Sequence, residues 1–169
     1  MAELKGHPIM LTLRDAISGN GFLAQVTVSG RALMRKEDDG KWWMYGVRPG
    51  GVAESGATIE EAFLRFRTSY TEVLFDIAEE SQNFDEFRAE VERFFYECDE
   101  EDERHWENAL SQIRKNDSAP PAPFSNLPRE SPDSKPAQVT VERLDQANRR
   151  FLASDNVRDT YSVPMGLAA

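Results

Sequence analysis

The stretch PGGVAESGATIEEA at residues 49–62 turns the chain from sheet to helix. Gly50, Gly51 and Gly56 lack a Cβ, so each can take the positive φ that a sharp change of direction requires. Thr58 and Glu61 stand three apart, as a capping box requires. The threonine oxygen can accept from the Glu61 amide, while the Glu61 carboxylate reaches back to the Thr58 amide. A helix is therefore expected from Ile59. Its apolar residues Ile59, Ala62, Phe63, Phe66, Tyr70, Val73, Leu74 and Ile77 recur at helical spacing and define a face that must cover a sheet.

Upstream, the sequence supplies that sheet. Residues 9–13 are a short apolar run rich in strand formers, and residues 18–21 (SGNG) are turn residues. Residues 22–34 then alternate, with Phe22, Ala24, Val26, Val28, Ala32 and Met34 on one side; Gly30 marks a bulge or bend. Asp39-Gly40 suits a hairpin turn, and residues 41–47 return. On that strand Trp42, Met44 and Gly46 share one face and Trp43, Tyr45 and Val47 the other, so both faces are apolar. Either later helices cover the second face, or its aromatics await a partner. Residues 52–54 can add one more short strand. The expected class is α+β, with an antiparallel sheet of three to four strands.

Downstream, Asn83 and Glu86 repeat the cap spacing, and Phe84, Phe87, Val91, Phe94, Phe95 and Cys98 form the apolar stripe of a second helix. Residues 97–103 (ECDEEDE) lack the grammar of a calcium loop and read as solvated surface. Trp106, Ala109, Leu110 and Ile113 give a further amphipathic segment ending near residue 116. Six of the nine prolines then fall within residues 117–136, which read as a spacer. The organisation expected is a domain over 8–115, a linker over 116–137 and a small strand-helix tail over 138–169.

The net charge of −10 is concentrated. Residues 58–107 carry 17 acidic and five basic residues, while the segments on either side each sum to +1. A field of that sign repels phosphate backbones and attracts basic surfaces. A single cysteine, Cys98, excludes an internal disulfide framework. No apolar run reaches the length of a membrane span, and residues 1–7 lack the apolar core of a signal peptide, so a cytoplasmic protein without membrane contact is expected.

The order strand, Asp39-Gly40, the strand at 42–45, Pro49-Gly50, then Gly56-Ala-Thr58-Ile-Glu-Glu61-Ala62 and a long helix resembles the HicB-like antitoxin domain, over residues 22–79. The resemblance implies a partial RNase H-like fold and a protein that neutralises a small basic RNA-cleaving toxin by covering its active surface, acting as a homo-dimer or higher oligomer. It points to Trp42, Trp43 and Tyr45, or to Glu60, Glu61 and Glu72, as the contact. Residues 138–152, a short strand followed by Leu144, Ala147 and Phe151 at helical spacing, look like the opening of a ribbon-helix-helix DNA-binding unit whose second helix is missing. A strand completing the first sheet and a segment docking on a neighbouring subunit are the other readings. The alternative function is a self-associating HicB-like module without a toxin.

Catalytic chemistry has little to build on. His7 and His105 have no partner at ligand or triad spacing, and no phosphate-binding glycine motif is present. The RNase H relationship makes Asp15, Asp38, Asp39, Glu54 and Asp76 worth testing as a metal-binding set, but their spacing places no three of them together. The expectation is a binding protein rather than an enzyme, with no cofactor and no metal.

Overall fold

The computed structural model describes residues 6–116, 120, 122–147 and 165–168, and its frame is one long antiparallel hairpin. β1 (His7–Gly19) and β2 (Phe22–Lys36) pair without a break from His7↔Met34 to Gly19↔Phe22. The strand expected at 9–13 runs on because His7, Ile9, Leu11, Leu13, Asp15 and Ile17 all share one buried face. The two-residue alternation thus extends through a histidine and an aspartate that hydropathy alone would exclude.

The far edge of β2 is divided between two strands. β3 (Trp42–Arg48) pairs with residues 31–36, with a register shift between Arg31 and Ala32, one residue beyond the expected break at Gly30. β6 (Gln138–Arg143) pairs with residues 24–29, bringing Val141 opposite Val26. β4 (Ala53–Gly56) extends the sheet from β3. On the other side β7 (Met165–Ala168) pairs with β1, and β5 (Arg129–Glu130) runs parallel to β7.

The fold is α+β, as expected, but the sheet is mixed and has seven strands among the described residues in place of three or four antiparallel ones. The additional strands arrive from beyond the helices, and β5 and β7 are too short to leave a period in the sequence. Strands from both sides of the expected boundaries at 116 and 137 therefore join one sheet. The proline-rich stretch is likewise anchored rather than a free spacer. Phe124 is 1% exposed and stacks on His7 with centroids 3.9 Å apart, Leu127 packs on the core, and the Arg31 guanidinium donates to the Lys135 carbonyl. Burial of these apolar anchors offsets the ordering entropy that proline-rich composition alone leaves uncompensated.

α1 (Ile59–Glu80) begins where the capping box places it, with the Glu61 amide 3.1 Å from Thr58 Oγ1. The return bond reaches one residue further back than expected: Glu61 Oε2 accepts from the Ala57 amide at 2.7 Å. Of the three glycines before the helix only Gly51 takes positive φ, at 75°. Gly56 is needed for closeness instead, since a Cβ there would lie 2.6 Å from the Ala62 nitrogen. α2 (Phe84–Tyr96) starts at the expected Asn83 cap, whose Oδ1 accepts from Glu86 at 2.9 Å.

α1 and α2 cover one face of the sheet through Phe66, Tyr70, Leu74, Phe87, Val91 and Phe95. α3 (Glu100–Asn116) covers the other, setting Trp106, Ala109 and Leu110 on Met10, Leu33 and Val47. The two apolar faces of β3 thus both have helical cover. α4 (Leu144–Ala147) closes the strand-helix tail among the described residues, and β6 completes the sheet of its own chain. The part of the tail expected to continue the helix, including Phe151, lies outside the described residues.

One charged pair is buried between β1 and α1. Asp15, 1% exposed, takes two bonds from Arg67, at 2.8 and 2.9 Å, and one from Thr71 Oγ1 at 3.2 Å. Burial, with the Asp15 charge beside it, holds the Tyr70 phenol well above its usual range; its hydroxyl has no hydrogen-bond partner among the described residues. Removing the cation alone strands a carboxylate in the core, whereas removing both charges does not. In urea unfolding, Arg67→Met is expected to lose about 3–5 kcal/mol, and Asp15→Asn/Arg67→Met clearly less. Equal losses would show that the stranded charge is not the cause.

Candidate docking surface

The hairpin aromatics fall on opposite sides of β3 and are largely consumed by packing. Trp42 is half-buried and meets the Phe124 ring edge-on at 5.7 Å. Trp43 and Tyr45 stack on one another at 5.9 Å, and the Trp43 indole donates to Asp39 at 3.2 Å. Tyr45 donates to Glu37 at 2.8 Å while Arg35 lies over its ring at 4.8 Å; burial, then the bond to Glu37, raises its phenol pKa. Trp42 and the Trp43-Tyr45 pair therefore do not form one patch.

Two of the three acidic residues line one groove. Glu61 and Glu72 line a shallow groove of about 370 Å³ between α1 and β4, with Glu54, Leu64, Arg65 and Thr68. Glu60 is exposed on the turn that opens the same helix. Leu64 in its lining is 63% exposed, and further along α1 stands Phe75 at 45%. Neither belongs to the buried stripe, and the sequence held the signal: both are apolar residues lying off the helical face that begins at Ile59.

The ionic partners on α1 are distributed unevenly. Arg67 is bound to Asp15; Arg65 is bound to Glu61 at 2.6 Å and to the Ser55 carbonyl at 3.2 Å. Both cations of the helix are thus occupied within the chain. Glu60, Glu72, Asp76, Glu79 and Glu80 are exposed, and their side chains have no hydrogen bond or ion pair among the described residues. Like charges one helical turn apart repel, and a cationic partner relieves that repulsion.

Two clefts on the opposite face of the sheet are smaller. One, of about 190 Å³, lies among Leu33, Arg35, Tyr45, Val47, Asp102 and His105; the other, of about 160 Å³, among Arg31, Val47, Arg48, Glu103 and Trp106. Arg48 and Glu103 bind each other at 2.5 Å, closing part of the second. His105 stands 4.0 Å from Glu101, and neither cleft sets a nucleophile beside a base. His7 instead lies in the core against Phe124.

The five carboxylates considered as a metal set are dispersed. Asp15 is bound to Arg67, Asp39 to the hairpin turn, and Glu54 accepts from Ser69 at 2.5 Å. Among the described residues no three His, Cys, Asp or Glu side chains are grouped to hold a metal, and no helix is long and apolar enough to cross a membrane. Comparison with known proteins gives no further guide: no family model, no curated protein and no solved structure matches the chain.

Burial, reinforced by Asp99 and Glu101, raises the Asp102 carboxyl above its usual range. A carboxyl raised in the folded state contributes stability that is complete below the unfolded pKa and lost as pH rises through the folded one. Asp102→Asn is therefore expected to melt higher than the parent at neutral pH, with the gap closing toward about pH 4. A variant less stable at neutral pH in thermal melts would contradict this.

Proposed function

We propose that the chain is a protein-binding module of the HicB-like antitoxin kind, which neutralises a small basic RNA-cleaving protein by occluding its active surface. One observation carries this reading: Glu60, Glu72, Asp76, Glu79 and Glu80 are exposed and their carboxylates are unpaired among the described residues, on a helix that also exposes Leu64 and Phe75, while its two cations are occupied internally. Such a surface has exposed apolar side chains to desolvate and charges to select the sign of the partner. The strand, turn, capping box and helix order at residues 22–79 supports the same reading. A copy of the chain docked symmetrically on this face would oppose acid to acid, which favours a basic partner over self-association here. The clefts beside α3 are small, and the Arg48–Glu103 pair partly closes one of them, which supports binding rather than catalysis.

The test is purification of the tagged full-length protein from its native cells at low and high salt, beside the variant Glu60→Lys/Glu72→Lys. A stoichiometric small basic protein is expected with the parent at low salt, lost near about 0.5 M salt and absent from the variant. Once separated, that protein is expected to cleave RNA until the parent chain is added back. No such protein, or one held equally by the variant, would overturn the proposal.

A further inference from the structure

Two modes of recognition are open to a docking face built from an edge strand and a helix: a partner strand can extend the sheet, or a partner helix can lie along the helix. We infer that α1 receives an amphipathic basic helix, an inference that rests on reading α1 as the docking face.

The edge strand is closed to the first mode. β4 has only four residues; its Ser55 carbonyl is taken by Arg65 and the neighbouring Ala57 amide by Glu61. An incoming strand would have to break these bonds before making its own, and covered edges of this kind resist pairing.

The helix is open to the second mode. Leu64 and Phe75 are eleven residues apart, which places them about 20° apart around the axis and about 16 Å apart along it. Thr68 lies between them on the same stripe, and its hydroxyl is turned back onto the Leu64 carbonyl at 3.0 Å, so it offers a partner little polarity. Each apolar side chain has carboxylates one turn away: Glu60 and Glu61 before Leu64, Glu72 and Glu79 on either side of Phe75. A helix bearing two apolar contacts at matching separation, with Lys or Arg one turn from each, satisfies both features at once. A random cationic coil satisfies only the charge.

The probe is a pair of synthetic peptides of identical composition, about five turns long if helical. One carries its leucines at helical spacing with lysines flanking them; the other carries them in strict alternation. Binding to the full-length protein is measured by fluorescence anisotropy and peptide helicity by circular dichroism. The helical pattern is expected to bind and to gain helicity, and Leu64→Asp or Phe75→Asp to weaken it by about tenfold or more. Both positions are exposed, and unchanged melting of the variants confirms folding.

Equal or tighter binding of the alternating peptide would overturn the inference, as would binding that both variants leave unchanged. A self-association lost in Leu64→Asp would assign the stripe to a second copy and overturn it too. If neither peptide binds while the native basic protein is still captured, the helical mode fails and the docking reading stands. If that protein is also absent, both fail.

Discussion

The sheet is apolar on both sides at its centre, and this constraint determines what the rest of the chain must do. Met10, Leu33 and Val47 point away from the face that α1 and α2 cover, yet are almost fully buried. A sheet with one wet face would need a single layer of helices; this one needs α3 as well, and α3 supplies little beyond Trp106, Ala109 and Leu110. Much of the remaining sequence of that helix is charged, and the last four residues of the acidic run, Glu100 to Glu103, form its first turn.

Charge is arranged by the same economy. Where a cation meets the sheet it is fixed by a specific acceptor: Arg67 by Asp15, Arg31 by two backbone carbonyls, Arg48 by Glu103. Burial lowers the Arg31 pKa, partly countered by Glu130 at longer range, and the guanidinium rests on the Trp106 ring at 5.5 Å. Few positive groups are left to neutralise the outer face of α1. Its acidity is thus a net property of the fold as well as of the composition.

The helices were legible because their starts are written in three or four residues: Thr58 with Glu61, and Asn83 with Glu86. The long strands were legible wherever apolar residues alternated, and illegible at His7 and Asp15, whose burial depends on partners far away in sequence, Phe124 and Arg67. β5 and β7 have two and four residues, and Met-Gly-Leu-Ala carries no alternation. Of the surface residues, Glu60, Glu61 and Glu72 were found through resemblance. Leu64 was readable as an apolar residue off the buried stripe, and it is exposed as that position implies.

The place of β7 bears on how the chain is assembled as it is synthesised. Ile9 pairs with Leu167, so residues 9–11 of β1 wait for a strand more than 150 residues later in the sequence before that part of their outer edge is paired. During translation the β1–β2 hairpin and its helices can form before β7 is made, but residues 9–11 of β1 present an open strand edge to the crowded space outside the ribosome until residues 165–168 emerge. Contacts of such long range close slowly, because the intervening chain must first be brought together. A nascent chain stalled short of β7 therefore exposes an unpaired strand, a form that chaperones recognise and that neighbouring chains can join.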